Sequence, residues 1–401
     1  MSDTQKHTKP NVPNLRFPGF EGEWEHHYLS EYLDFKNGLN PSAKSFGEGI
    51  KFISVMDILN NPFISYDCIR SSVAATDKEK KEFCVEYGDI LFQRSSETLE
   101  DVGHANVYLD NRPALFGGFT IRGKKKGDYN PLFFKHLLDS PTARKKVIVK
   151  GAGAQHFNIG QEGLSTVSLS FPSLPEQNKI ATLFSLIDER IAIQNRVIED
   201  LRKLKAAIED WCLNQFKGTS VCLADILIER HEKSERNNQY EVLSSTVSGI
   251  YSQRDYFNKD IASSDNTGYK VIRRGDIVLS PQNLWMGNIN YNDKFNIGIV
   301  SPSYKVFSIN PTFDSRFVAS LLKSKKALLE YSLVSEQGAS IVRRNLNMDG
   351  FMEIAFPLPY KEAQILIGDT IAAVNHRIEL ENNILYGINK QKHYLLKQLF
   401  I

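Results

Sequence analysis

The strongest constraint on this chain is internal: its second half rewrites its first at an offset of 187 residues. The tripeptide Gly88-Asp89-Ile90, inside "VEYGDILFQRSS", returns as Gly275-Asp276-Ile277 inside "VIRRGDIVLSPQN". The offset also holds far from the glycine. Ile180, Phe184, Ile187, Ile191, Gln194, Ile198, Leu201, Lys205, Ile208 and Cys212 follow one another at alternating spacings of four and three, the seam of a coiled coil. Shifted by 187, the seam reads Ile367, Ile371, Val374, Ile378, Glu381, Leu385, Ile388, Lys392, Leu395, Leu399. Each copy is apolar at eight of its ten positions, and the two polar positions are the same two, so chance is a poor explanation. Gln177 maps on Gln364 and Arg190 on Arg377, and a proline-flanked strand precedes each helix, "SLSFPSLP" and "EIAFPLP". The chain is a tandem repeat.

Each repeat is a variable part followed by a long helix. The expected division is a disordered tail over 1–13, marked by Pro10 and Pro13, then globular parts over 14–175 and 217–359. Helices over 176–216 and 360–401 follow them. Short β-type runs fill the globular parts: "IKFISVMDI", "GDILF" and "STVSLSF" in the first, "GDIVLS", "GIVSPSYKVFSI" and "FMEIAF" in the second. Short helices are expected at Pro131–Asp139 and Ser315–Leu329. The fold class is α+β, with two repeated globular domains separated by two long helices.

Composition narrows the function classes. A chain of 401 residues with 41% hydrophobic and 24% charged residues is globular and too long for one ordinary core. A net charge of +2 neither requires nor excludes a nucleic-acid partner. The four cysteines contain no C-x-x-C pair, as expected of reduced thiols in a cytoplasmic protein. The polar start "MSDTQKHTKPNVPN" lacks a signal-peptide core, and no apolar run reaches membrane-spanning length, so no membrane role is expected.

Fragments that resemble catalytic motifs each lack a required member. "GGFTIRGKK" has the glycine and lysine spacing of a phosphate loop, but Lys125 stands where a hydroxyl must hold magnesium. "KGAGAQHF" puts His156 at the third glycine of a dinucleotide loop, and "NPFI" lacks the second proline of an amino-methyltransferase segment. The nine histidines show no metal-ligand spacing. Arg274-Gly275-Asp276 reads as a turn before a strand. No nucleophile, base and oxyanion donor assemble, so no catalysis and no cofactor are expected in this chain itself.

A duplicated unit suits a two-part target, and two-fold binders commonly meet two half-sites on DNA. Residues fit for base edges and phosphates gather after the Gly-Asp-Ile strands. They are Gln93, Arg94, Ser95, Ser96 and Thr98 in the first unit, and Ser280, Gln282, Asn283 and Trp285 in the second. Arg94 and Gln282 are the preferred base-edge candidates. Lys124, Lys125 and Lys126 are candidates for salt-sensitive phosphate contacts.

These features resemble the specificity subunit of type I restriction-modification systems, along nearly the whole length. The resemblance rests on "PNLRFPGFEGEWE", the duplicated "GDI" strand, the turn "GAGAQHFNI" echoed by "GASIVRRNLNM", and above all "FPSLPEQNKIATLFSLIDERI", which leads into the first long helix. The second copy departs from the last, reading "FPLPYKEAQ" and placing Asn375 where the first has Asp188. The resemblance implies that each globular part is a target recognition domain reading one half of a split, asymmetric site on double-stranded DNA. The helices would pair antiparallel as a spacer in a pseudo-two-fold molecule. Two methyltransferase subunits would dock on them and bring S-adenosylmethionine, and motor-nuclease subunits would bring ATP and Mg. The candidate DNA-facing set then extends to Lys44, Gln155, His156, Gln253, Arg254, Tyr304, Arg343 and Arg344.

The polar seam positions predict a register. Pairing Lys205 with Glu381 and Gln194 with Lys392 satisfies all four, and the two pairs share one antiparallel alignment. A heptad slip would bury unpaired charge, at a cost of several kcal/mol. The competing reading is a non-catalytic coiled-coil scaffold whose globular parts bind proteins and have no affinity for DNA.

Overall fold

The computed structural model describes residues 11–153, 155–215, 218–254, 265–337 and 343–401, with the side chains of 213–215 left undescribed. Two compact units emerge: residues 1–195 with 383–401, and residues 196–382. Residues 1–10 of the expected tail lie outside the described residues. Asn11 to Pro13 are held in place rather than loose. Trp24 N donates to Asn11 O at 2.9 Å, Ser170 Oγ donates to Asn11 Oδ1 at 3.1 Å, and Pro13 is buried.

The first unit is built on an antiparallel sheet of β1 (Leu33–Asn37), β2 (Ile90–Gln93), β3 (Ala105–Val107) and β4 (Thr120–Lys125), in the spatial order β1-β4-β2-β3. Two short helices follow it, α1 (Pro131–Asp139) and α2 (Pro141–Ile148), and then the long helix α3 (Leu174–Gln215). The second unit repeats this plan. Its sheet of β5 (Leu227–Glu229), β6 (Asp276–Leu279), β7 (Ile289–Tyr291) and β8 (Lys305–Ile309) runs in the order β5-β8-β6-β7. Helices α4 (Ser315–Leu322), α5 (Lys325–Leu333) and the long α6 (Lys361–Leu399) come after it.

The recurring tripeptide has one physical job in both units. Gly88 and Gly275 adopt φ of 92° and 94°, a left-handed conformation open to glycine without steric cost. The next residue caps the turn: Asp89 accepts from Glu86 N at 3.0 Å, and Asp276 accepts from Arg273 N at 2.8 Å. Both carboxylates are buried. Burial pushes both carboxyls above the usual carboxylate range, against the backbone N–H bonds that pull them down. Asp89 also takes Lys125 N from β4 at 2.9 Å, and Asp276 takes Arg230 Nε at 2.8 Å, so each tripeptide ties its strand to a neighbouring segment.

The glutamine repeated at each helix start is a second shared device. Gln177 accepts from Asn130 N at 3.0 Å and donates to Pro172 O at 3.0 Å. Gln364 accepts from Asp314 N at 3.0 Å and donates to Pro359 O at 2.8 Å. Each thus joins the N-cap of a short helix to the segment that leads into a long one. The next cap is also duplicated: Ser140 Oγ accepts from Ala143 N, and Ser324 Oγ from Ala327 N. Ser324 starts a new helix, which is why the single helix expected over Ser315–Leu329 is two.

Side-chain burial follows the seam. All ten positions in each copy are buried or half-buried. Helix α3 starts at Leu174, slightly earlier than expected, because Pro175 falls in the first turn, where its missing N–H is no loss. "IKFISVMDI" splits into a strand ending at Ile53 and a helix over Val55–Asn60, and "FMEIAF" into a helix over Met348–Glu353 and a strand from Ala355. In both, period-two apolar spacing was too short to distinguish strand from helix.

Outside the shared sheet the units diverge. The first carries a further four-stranded sheet containing Ser71–Val73, Phe46–Ile53, Ala114–Phe116 and Cys84–Val85. The second has instead the hairpin Leu243–Thr246/Gly249–Ser252 and the pair Lys270–Arg273/Ile297–Val300. Each of these parts has its own apolar cluster.

Candidate nucleic-acid interface

In each unit the segment after the Gly-Asp-Ile strand meets the segment that follows the short helices. In the first unit Ser95 and Ser96 pair with Asn158 and Phe157, and Ser95 Oγ donates to Asn158 Oδ1 at 2.5 Å. Arg94 is anchored by its backbone, donating to Phe119 O at 2.9 Å and accepting from Ile159 N at 3.0 Å. Its guanidinium donates to Gly118 O at 3.3 Å. Gln155 and His156 stand exposed beside this contact, and so does Phe119, 71% exposed at the β4 turn.

In the second unit the 3-10 turn Pro281–Met286 packs against Arg344–Leu346. Gln282 is exposed, and the Arg344 guanidinium lies over the Trp285 ring, 4.2 Å from its centroid. Arg343 is exposed next to it. The turn is braced from behind. Asn288 Nδ2 donates to Ser245 O at 3.0 Å and Asn290 Nδ2 to Thr246 O at 2.7 Å, while Lys323 Nζ donates to Gly287 O at 2.9 Å.

Several sequence candidates are placed elsewhere or used internally. Gln93 is buried and donates to Ser95 O at 2.9 Å, so it shapes the loop from inside. Ser280 is buried as well, with its N–H on Asn288 O. Thr98 Oγ1 donates to Asp101 Oδ2 at 2.5 Å. Asn283 is half-buried in the turn. Tyr304 donates to Ser245 O at 3.1 Å and Gln253 to Ser244 Oγ at 3.3 Å, so both brace the hairpin that supports the turn. Arg254 is exposed just after that hairpin, and Lys44 is exposed on the 3-10 turn Ala43–Ser45 that leads into the further sheet of the first unit.

The lysine run sits away from the loop. Because β4 pairs antiparallel with β2, matching Thr120 to Gln93 and Gly123 to Ile90, Lys124–Lys126 lie at the Gly-Asp-Ile end of the sheet and Arg94 at the other. Lys124 faces Glu86 at 3.4 Å, Lys125 lies over the Tyr129 ring at 4.8 Å, and Lys126 meets Asp34 at 2.8 Å. The phosphate-loop-like fragment is mostly strand β4, which has no cradle of free N–H groups. Among the described residues, no three His, Cys, Asp or Glu side chains converge as metal ligands, and no helix is long and apolar enough to cross a membrane.

The seam charges have partners beyond the expected layers. Lys392 Nζ reaches Asp188 Oδ1 at 2.5 Å. A half-buried ammonium gains more from a carboxylate than from an amide. Asp188 is the aspartate of the Ile-Asp-x-x-Ile segment, and its oxygen also lies 3.6 Å from the fully buried His136. Phe184 and Phe400 meet with ring centroids 5.8 Å apart, so within the first unit α3 and α6 run antiparallel. In the second unit Lys205 meets Glu209 on its own helix at 3.4 Å, and Glu381 meets Arg377 at 2.5 Å. Asn375, at the position equivalent to Asp188, cannot supply a carboxylate to Lys205.

Sequence reasoning missed Phe157, Asn158 and Phe119. The echo between "GAGAQHFNI" and "GASIVRRNLNM" was the available signal for the first two; nothing in the sequence singled out Phe119.

Comparison with known proteins gives a consistent picture. Residues 21–203 match the family described as Type I restriction modification DNA specificity domain. A putative type I restriction enzyme MjaX specificity subunit from Methanocaldococcus jannaschii is 24% identical, over 94% of this chain and 92% of that protein. The type I restriction enzyme MjaVIII specificity subunit of the same organism is 21% identical over the same shares. The crystal structure of a type I restriction-modification S subunit from M. genitalium covers 97% of this chain and 99% of its own, with a TM-score of 0.59 at 16% identity. A chain from a structural study of type I complex assembly and conformational transition covers 93% and 96%, with a TM-score of 0.55 at 12% identity. Both structures share the fold. Residues 21–203 thus match a type I DNA specificity domain, and nearly the whole chain is similar in sequence to type I restriction enzyme specificity subunits and shares the fold of the S-subunit structure.

Proposed function

We propose that this chain reads a bipartite, asymmetric DNA site, one half with each unit, and holds methylation and restriction subunits at that site. One observation carries the reading. The devices that build each unit are repeated, whereas the exposed meeting of the post-strand loop with the segment after the short helices has a different composition in each. A common scaffold presenting two different polar and aromatic surfaces suits two different half-sites. The long helices would set the gap between them: at roughly 1.5 Å per residue a helix of α3's length spans about 60 Å, more than the roughly 34–36 Å of one DNA turn. Two methyltransferase subunits would bring S-adenosylmethionine, and motor-nuclease subunits ATP and Mg. This chain would contribute binding and geometry rather than bond-making.

The test is to exchange residues 14–175 for the corresponding segment of another family member, co-express the chain with its modification subunits, and map methylated adenines. One half-site changes and the other stays. Loss or change of both would contradict modular reading. A complex that binds no duplex at any salt concentration would favour the protein-binding scaffold instead.

A further inference from the structure

We infer that Arg344, held on the indole of Trp285, is a preset guanine reader of the second unit, an assignment that rests on the DNA-reading function proposed above. Its guanidinium carbon lies 4.2 Å from the indole centroid. The Nε atom is buried without a hydrogen-bond partner, while the residue as a whole is only half-buried. The plane of the group is therefore set by stacking, not by a carboxylate. Two other guanidiniums lie over rings but are also bound to acceptors: Arg112, over Tyr66, holds Asp67 and Asp110, and Arg122, over Phe116, donates to Cys84 O; Arg16, Arg230 and Arg273 hold carboxylates. Among the described residues, what lies against the Arg344 guanidinium is an indole.

A fixed guanidinium fork matches the O6 and N7 acceptors of guanine in the major groove, and orienting it before binding reduces the entropy lost in forming two bonds. A phosphate contact needs charge and no such plate. The position is also where the copies part company. Under the offset of 187, Arg344 corresponds to Phe157 and Trp285 to Thr98, so the first unit has neither member of the pair. The scaffold residues at the same offset, Asp89 with Asp276 and Gln177 with Gln364, are unchanged. The turn that carries Trp285 is braced by Asn288, Asn290 and Lys323, which keeps the plate in place.

The experiment uses the full chain assembled with its modification subunits. Methylation mapping of the wild type and of the residue 14–175 exchange identifies the half-site read by the second unit. Arg344→Lys, Arg344→Ala and Trp285→Phe complexes are then compared by mapping and by competition binding on duplexes varied at each position of that half-site. The expected result for both Arg344 variants is a loss of at least about fivefold in preference for guanine at one position, with the other half-site unchanged. Trp285→Phe, which keeps an aromatic plate, loses less. Arg344→Lys keeps the charge and supplies the answer if the alanine variant fails to assemble. Three results would overturn the assignment: guanine preference that survives Arg344→Lys, an equal loss on all sequences with a shallower salt dependence, or a half-site without a required G·C pair. A wild-type complex that methylates no bipartite site would instead overturn the DNA-reading function, so the two failures are distinct.

Discussion

Replacing the repeated glutamine by methionine, at Gln177 or at Gln364, tests whether the duplicated clamp sets how each long helix leaves its unit. Both side chains are 3% exposed, and each makes two hydrogen bonds to backbone: Asn130 N and Pro172 O for Gln177, Asp314 N and Pro359 O for Gln364. Methionine fills similar space without polar atoms, so little of the cost comes from a cavity. Each substitution leaves one N–H and one carbonyl without this partner, at about 1–3 kcal/mol each, or about 2–5 kcal/mol together. For a unit of roughly 200 residues this lowers Tm by about 5–15 °C, read by calorimetry of the full chain. Gln177→Glu is an internal control. Its carboxylate can still accept from Asn130 N but sets a second acceptor against Pro172 O, which raises its folded pKa above the ordinary carboxylate value. Its stability is therefore retained at low pH and lost as pH rises through that raised pKa, so the glutamate variant approaches wild type on acidification. A loss below about 1 kcal/mol for both methionine variants would show that the clamp is incidental.

Other expectations follow from single side chains. His136 is fully buried, burial holds its imidazole well below the usual range, and Lys135 and Lys392 push the same way. The unfolded chain therefore takes up a proton that the folded one refuses below about pH 6.5. Stability falls with acidification there by up to about 1.4 kcal/mol per pH unit from this group, and His136→Leu flattens that slope in denaturant titrations at pH 5 and 7. Asp188→Asn copies the second unit's residue and breaks the ion pair to Lys392, whose partners are 16% and 20% exposed. The expected loss is about 1–2 kcal/mol, intermediate between surface and buried pairs, and largely absent in a Lys392→Met background when measured as a double-mutant cycle. Lys124 and Lys126 already face Glu86 and Asp34, so their double alanine variant leaves the salt dependence of DNA binding unchanged; a slope shallower by one or more would contradict this.

What the sequence made legible was whatever occurs twice. The seam could be read because a period of 3.5 persists over ten positions in each copy, and burial follows it. The Gly-Asp-Ile turn was visible as a motif, but its cause was not: the aspartate is a cap for the N–H three residues back, a contact no spacing rule isolates. The pairing of Ser95 and Ser96 with Phe157 and Asn158 joins residues some sixty positions apart, and only the fold brings them together. Composition likewise marked Gln93 and Ser280 as polar without telling that both turn inward. The lysines at 124–126 were phosphate candidates by charge alone, and strand direction puts them at the opposite end of the sheet from Arg94. Asp188 lies off the seam, so a count of seam positions could not offer it as a partner for Lys392.

The residues that occur only once are equally informative, and not all of them lie on the reading surface. Glu176 is buried and holds Arg16 through two contacts of 2.8 Å, tying the segment around Arg16 to the start of α3. Its counterpart at the start of α6 is Ala363. Asp188 becomes Asn375, and by the local offset of 184 that relates Asn130 to Asp314, His136 becomes Ser320. The first unit thus fastens the base of its long helix with charges, and it also uses the end of the chain, through Leu15 N on Gln398 O at 3.0 Å and Trp24 packed edge-on against Phe400. The second unit keeps the clamp of Gln364 and adds a charge pair of its own, Arg316 with Asp369, between α4 and the start of α6. Divergence confined to the reading surface would be enough for two half-sites. Divergence at the helix base is of another kind: in the first unit Arg16 with Glu176 and Lys392 with Asp188 tie segments distant in sequence to α3, whereas in the second Arg316 with Asp369 ties α4 to α6.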